Sequence, residues 1–463
     1  MGWPARVNGL LVALFSSAAG NRGASRQLPK AVSAAGNMRE SKQIPKAVEY
    51  NQKITALWMT SASVDLHKRD ALVEWLSKRE LSHVNLITML YWNARRSLPP
   101  LDANPATAIA RQLIESDSLC TKGQDIGNLV FGIRSLGASP VARVVVAALA
   151  EKIGKSKAYI NAANASNALE GIGDLADGEE VRALLAALVP KLHASRKDAM
   201  SSEQFARALG GLHRLNDDGP VVPLLTELLV RMDTASTPFD AQTLGVACGG
   251  LSSMHCGSEP ADAFRVRFGA LLADPQGSKA PLLLTADQIG RCARAMHGAP
   301  DGSAGAAALA RGLRAQLLRT TPRFDCAAFG DLVRPLARFA GSVDGHAALV
   351  ALADCVRAAP PSLPGGLFEA VRVVGHLATL GDASVGCTLL SALLPALEAA
   401  LIRDATTSQE GGNAQLVADD SEARAIAWLG ALPACAEAET VVRLLTVACD
   451  DVFPAPAALE RLH

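Results

Sequence analysis

Apolar residues recur along most of this chain in a fixed four-point pattern. With the first apolar residue of each recurrence numbered zero, positions 0, +1, +4 and +7 are mostly apolar. Examples are Ala168, Leu169, Ile172 and Leu175, then Ala208, Leu209, Leu212 and Leu215, then Val373, Val374, Leu377 and Leu380. At about 100° per residue these positions form one broad stripe, which predicts an amphipathic helix. The zero positions are Met89, Leu129, Ala168, Ala208, Ala247, Cys292, Leu332, Val373 and Ala425, separated by 40, 39, 40, 39, 45, 40, 41 and 52 residues. A period of this size marks stacked repeats, in which each unit buries its apolar face against its neighbours.

A second apolar helical stretch accompanies each stripe: Ala106–Ile114, Ala142–Ile153, Val181–Leu192, Val221–Met232, Ala263–Leu272, Ala306–Leu318, Ala347–Ala358, Val385–Leu401 and Val441–Val452. Turn chemistry separates the pairs, as in Asn216-Asp-Asp-Gly-Pro220, Pro300-Asp-Gly302 and Pro360-Pro-Ser-Leu-Pro-Gly365. Ser201 to Gln204 and Thr285 to Gln288 have capping-box spacing. Position +3 is usually small: Gly132, Gly171, Gly211, Gly250 and Ala295. Glycine inside a helix costs about 1 kcal/mol relative to alanine, so its recurrence predicts close approach of a neighbouring helix. Trp92 and Trp428 stand there in the first and last repeats, as capping units would allow.

The predicted fold is all-α: a right-handed α-solenoid of roughly nine to ten helix-turn-helix repeats, each about 40 residues long, over residues 85–463. Residues 40–84 read as an N-terminal helical cap, and Thr406–Asp420, with Gly411-Gly412, as an exposed loop within the long 52-residue spacing before Ala425.

Charge and cysteine usage refine this picture. Residues 1–100 carry 14 Lys/Arg against 6 Asp/Glu, whereas residues 401–463 carry 4 against 10. Part of the early excess lies in residues 1–39, which hold Arg6, Arg22, Arg26, Lys30 and Arg39 and no acid. That is the composition of an organellar transit peptide. Leu10–Phe15 followed by Ser16-Ser-Ala-Ala19 also resembles a short secretory signal, and the two could act in series. The expected address is the mitochondrion, with the plastid as alternative. No apolar run is long enough to span a membrane. The nine cysteines are odd in number and form no C-x-x-C, so buried thiols in a reducing compartment are expected rather than disulfides or a zinc site.

The face opposite the stripe carries the candidate chemistry. Positions −1, +2 and +6 place Asn128, Asn167, Arg207, Arg214, Arg291, Arg294, Arg334, Arg338 and Arg372 there. Equivalent residues of stacked helices form ladders. Arginine binds phosphate and stacks on bases, and asparagine reads base edges, so the ladder suits RNA. Any amphipathic helix also needs a polar outer face, and Asp174 and Asp331 interrupt the cations. No Walker A, H-E-x-x-H or G-x-S-x-G sequence occurs. His213, His297 and His376 fall at offsets +5, +5 and +3 and share no column. Neither an enzyme, nor a cofactor, nor a metal is expected.

Stretches such as Ser166-Asn-Ala-Leu-Glu-Gly-Ile172 and Val181-Arg-Ala-Leu-Leu-Ala-Ala-Leu188 resemble the octotricopeptide class of organellar helical-repeat proteins over about residues 85–455. No RAP domain is expected after the repeats. The resemblance implies binding of organellar RNA, ribosomal or messenger, for its stabilisation, maturation or ribosome assembly. The alternative is a protein-binding scaffold subunit of a mitoribosome or another large organellar complex.

Overall fold

The computed structural model describes residues 46–59, 64–273, 282–361, 363, 366–377, 380, 383–408 and 440. The chain divides into two units, Met1–Glu49 and Tyr50–His463, and the described architecture is that of the second. Every regular element among the described residues is helical. After α1 (Lys46–Met59) and α2 (Leu66–Ser77) come α3 (His83–Arg95), α4 (Ala103–Glu115), α5 (Gly123–Gly132), α6 (Pro140–Lys155), α7 (Ala162–Ile172) and α8 (Glu179–Ala194). Then follow α9 (Ser202–Gly210), α10 (Val221–Asp233), α11 (Ala241–Gly250), α12 (Glu259–Ala273), α13 (Ala286–Arg294) and α14 (Ala304–Thr320). The last are α15 (Cys326–Arg338), α16 (Val343–Ala358), α17 (Gly366–Leu377) and α18 (Ala383–Ser408).

The odd-numbered helices from α3 to α17 pack on one another in chain order, and the even-numbered helices from α2 to α18 do the same. These two ladders, joined by short turns, form the layers of an α-solenoid. No helix among the described residues is long and apolar enough to cross a membrane.

The recurring stripe is the core of the first, odd-numbered layer. Met89, Leu129, Ala168, Ala208, Ala247, Cys292, Leu332 and Val373 are all buried, as are the +1 residues from Leu90 to Val374. The small +3 position is where the layer closes. A Cβ on Gly171 would lie 2.4 Å from Phe131 Cα, one on Gly211 2.0 Å from the Leu169 carbonyl oxygen, and one on Gly250 2.2 Å from the Leu209 carbonyl oxygen. Each glycine thus sits on the backbone at position +1 or +2 of the preceding repeat. The capping boxes form at Ser201/Gln204 and Thr285/Gln288.

The second layer is tied differently. Lys152 of α6 donates to the carbonyl of Ser116, the C-cap of α4, at 2.9 Å. Lys191 of α8 donates to the carbonyl of Ser156, the C-cap of α6. Arg231 of α10 reaches the Leu192 carbonyl at 2.8 Å near the end of α8, and Arg319 of α14 reaches the Ala273 carbonyl at 3.1 Å at the end of α12. The last carbonyls of a helix lack intrahelical partners and carry its negative end, so a cation from the next repeat satisfies both needs. Arg265, fully buried, donates through Nε to the Ala295 carbonyl at 2.8 Å and through an Nη to the Met254 carbonyl at 2.9 Å.

At the N-terminal end α2 extends the even-numbered layer by packing on α4. Asn85 in α3 donates to the Asn51 side chain at 2.7 Å, and Arg96 donates to the Trp58 carbonyl at 3.0 Å, joining α1 to α3. At the other end α18 continues through Thr406 to Ser408, so the first residues expected in a loop are helical. The recurrence at Ala425, Trp428 and the stretch Val441–Val452 lie outside the described residues, as do residues 1–39.

Candidate nucleic-acid interface

The odd-numbered helices present their polar residues as columns, one entry per repeat. Column −1 reads Thr88, Asn128, Asn167, Arg207, Val246, Arg291, Asp331 and Arg372 over the described residues. Thr88 is buried, Arg372 is exposed, and the others are half-buried. The Asn167 amide donates to the Asn128 side chain at 3.5 Å, so adjacent rungs of the ladder touch. Arg207 lies 3.6 Å from Glu170 of the preceding repeat and 3.9 Å from Glu203 one turn back. Arg291 meets Asp287 at 2.7 Å within its own helix.

Column +2 reads Tyr91, Phe131, Glu170, Gly210, Gly249, Arg294, Arg334 and Gly375. Arg294 pairs with Asp331 of the following repeat at 3.3 Å. Arg334, exposed, donates through Nε to His376 Nδ1 at 3.1 Å. Burial, with the nearby charges of Arg334 and Arg372, pulls His376 down to about 4. Burial also lowers His297, which stands among Arg294, Arg334 and Arg338 and near Asp331. His376 therefore adds no charge to this face at neutral pH, and burial favours the neutral form of His297.

Position +6 does not behave as one exposed column. Ser135 and Gly298 are buried, whereas Arg95, Asp174, Arg214 and Arg338 are exposed. The physical reason is that most first helices end before +6: α5 at Gly132, α9 at Gly210 and α13 at Arg294. Beyond those ends the α-helical rotation no longer applies: Ser135 falls in a 3-10 turn, Ile133–Leu136, and faces the joint between repeats, whereas Arg214 stays exposed. Ser135 Oγ donates to the Leu90 carbonyl at 2.9 Å, and Ser253 Oγ to the Leu215 carbonyl at 3.1 Å. Arg338 donates to the carbonyls of His297 and Ala299 and meets Asp301 at 3.2 Å. Among the described residues Arg214 has no ion pair.

The structure thus brings Arg294, Arg334, Arg338 and Arg372 together around His297 and His376, and Asn128, Asn167 and Arg207 together on three successive repeats. Arg214 stands by itself at the end of its repeat. Sequence reasoning missed an aromatic cluster at the N-terminal end of the same face. The Tyr91 and Phe131 rings lie 5.4 Å apart, and Arg134 stands 5.2 Å from the Phe131 ring while pairing with Asp174 at 2.6 Å. The signal was available, since Tyr91 and Phe131 share column +2.

No protein-family model matches this chain, and no curated protein is significantly similar to it. The reading of this face therefore rests on its own chemistry. Among the described residues no group of three His, Cys, Asp or Glu side chains is placed to hold a metal ion. Two open grooves of about 730 and 810 Å³ are lined by residues of neither column. The candidate interface is an extended surface rather than a pocket.

Proposed function

We propose that this chain is an organellar helical-repeat protein of octotricopeptide type that binds RNA along its odd-numbered helices. The observation that carries the reading is the cluster of Arg294, Arg334, Arg338 and Arg372 around His297 and His376 on the odd-numbered layer. Asn128, Asn167 and Arg207 on three successive repeats, with Arg214 and Arg291, are the further candidate contacts of that layer. Arginine offers a planar fork for phosphate and a face for stacking, and amides read the edges of unpaired bases. The RNA is ribosomal or messenger, bound for stabilisation, maturation or ribosome assembly, and catalysis has no part in it. The acid-free residues 1–39 support a mitochondrial address, with the plastid as alternative. A right-handed superhelix of about nine to ten repeats is the geometry this reading uses.

The test is RNA affinity as a function of salt, for the parent chain and for a variant with Arg207, Arg291 and Arg372 replaced by Ala. Losing three phosphate contacts to a single strand lowers the logarithmic salt slope by about two. An unchanged affinity and slope would reduce the ladder to a solvated face.

A second reading, a scaffold subunit of a large organellar complex, is favoured by two observations. Carboxylates accompany Arg207, Arg291, Arg294 and Arg338, which makes the face mixed in charge. The even-numbered helices expose Val144, Val266, Leu318 and Val350. Crosslinking in organelle extract separates the two: recovery of protein neighbours with no RNA above background supports the scaffold and sinks RNA binding.

A further inference from the structure

Arg334 differs from the other ladder arginines in what holds it. Arg207, Arg291, Arg294 and Arg338 each stand beside a carboxylate. Arg334 has no carboxylate within ion-pair distance among the described residues, and its Nε donates instead to His376 Nδ1 at 3.1 Å. Accepting that hydrogen at Nδ1 requires a neutral imidazole protonated on Nε2. A carboxylate partner would cancel the guanidinium charge locally; a neutral acceptor holds the group and leaves its charge unspent.

The imidazole is itself fixed. His376 is 5% exposed and lies over Gly330 of α15, where an added Cβ would fall 2.2 Å from Nε2. Gly330 therefore makes the room into which the ring packs, next to the helix turn that carries Arg334. Burial and the two neighbouring guanidinium charges keep the ring neutral, its pKa drawn down to about 4. Arg372 lies one helical turn before His376 and is exposed, with Glu369 half-buried a turn earlier. Asp331 is engaged by Arg294.

The donor count then decides what the guanidinium can take. Of its five N–H groups, the one on Nε is used; the four on Nη1 and Nη2 form the end-on fork that matches two oxygens of a phosphate. A tethered side chain also loses less rotamer freedom on binding than a loose one such as Arg214. We infer that Arg334, held by His376, is a phosphate-binding subsite on the odd-numbered layer that grips the backbone of single-stranded RNA. His376 is the positioning residue and Arg334 makes the contact. The inference rests on the RNA-binding reading, but its anion chemistry is measurable without RNA.

The experiment uses the full chain, with a fluorescent oligouridine followed by anisotropy and pyrophosphate followed by calorimetry at low salt. The variants are Arg334→Gln, His376→Ala and His376→Asn, each checked for parental helicity by circular dichroism. Arg334→Gln is expected to weaken oligouridine binding about fivefold to tenfold and to lower the salt slope by about one. His376→Ala should weaken binding by a similar factor. His376→Asn, which returns an acceptor near the Nδ1 position, should restore most of it; a purely packing role for the ring would not show that rescue. Parental oligouridine and pyrophosphate binding in Arg334→Gln would overturn the subsite and leave RNA binding standing. If the parent binds no oligouridine but binds pyrophosphate in an Arg334-dependent way, the subsite holds and the RNA reading fails. If the parent binds neither, both fall.

Discussion

Gly249 and Gly250 are neighbours in the last turn of α11, yet their surroundings are opposite. A Cβ on Gly249 meets nothing within 4 Å, whereas one on Gly250 would lie 2.2 Å from the Leu209 oxygen, 2.6 Å from the Leu209 carbonyl carbon and 3.0 Å from Gly210 N. Neither has a positive φ, so alanine suits the backbone at both. Helix propensity alone predicts that either substitution stabilises by roughly 0.5–1 kcal/mol, nearer the lower figure at a helix end. For Gly249→Ala that gain stands unopposed. For Gly250→Ala the clash is with backbone, which cannot rotate away, so α9 and α11 must separate by about an ångström. Overpacking of this kind costs about 1–3 kcal/mol, which leaves a net loss of about 1–2 kcal/mol. Repeat arrays do not always unfold in one step, so the assay pairs urea unfolding with hydrogen exchange of the α9 and α11 amides. Expected are slower exchange in Gly249→Ala and faster exchange in Gly250→Ala. If both variants are stabilised alike, close backbone contact is not the reason for the small residue at +3.

Three further outcomes follow from the packing. His376 has a folded pKa near 4, below its ordinary 6.5, so between those values the unfolded chain binds the proton that the native chain refuses. Stability from this residue is full above 6.5 and is lost as pH falls toward 4; moving from pH 7 to 5 should cost about 1–2 kcal/mol, read as a drop in urea midpoint that His376→Asn largely removes. An equal drop in the variant refutes the assignment. Arg265→Met leaves the Met254 and Ala295 carbonyls without their donor and should destabilise by about 2–4 kcal/mol; a variant melting at or above the parent temperature would contradict this. Cys256 is exposed, whereas Cys120, Cys248 and Cys292 are buried, with burial raising Cys120 to about 12 and holding Cys248 well above the usual thiol range. Brief thiol labelling followed by peptide mapping should mark Cys256 and spare those three until the chain is unfolded; early labelling of Cys248 would mean that the α11–α13 joint opens.

The helices and their register were legible because buried apolar residues obey one period: every described zero position lands in the core. The +3 glycines were legible for the opposite reason, since a residue unfavourable to helices needs a packing cause. What escaped was polar. Arg231, Arg265, Asp217 and Glu227 are buried, although charged residues read as surface in a sequence. Asp217, for example, accepts from the backbone N–H groups of Cys256 and Ser258, both at 2.7 Å, about one repeat downstream. Such partners lie about 40 residues apart, and periodicity says nothing about which side chain reaches across. Asp174 and Asp331 interrupted the cationic ladder on paper; in space they are the partners of Arg134 and Arg294. The exposed +6 column failed locally for a plainer reason, because the helix that should have set its direction had already ended.

RNA bound as proposed lies along the odd-numbered helices. The most direct test of that placement is ultraviolet crosslinking in organelle extract, with the crosslinked peptides of this chain identified by mass spectrometry. Nucleotide adducts are expected on peptides from α5, α7, α9, α13, α15 and α17, reduced several-fold but not abolished when Arg334 is replaced by Gln. Adducts confined to the even-numbered helices, or protein neighbours recovered with no nucleotide adduct, would contradict it.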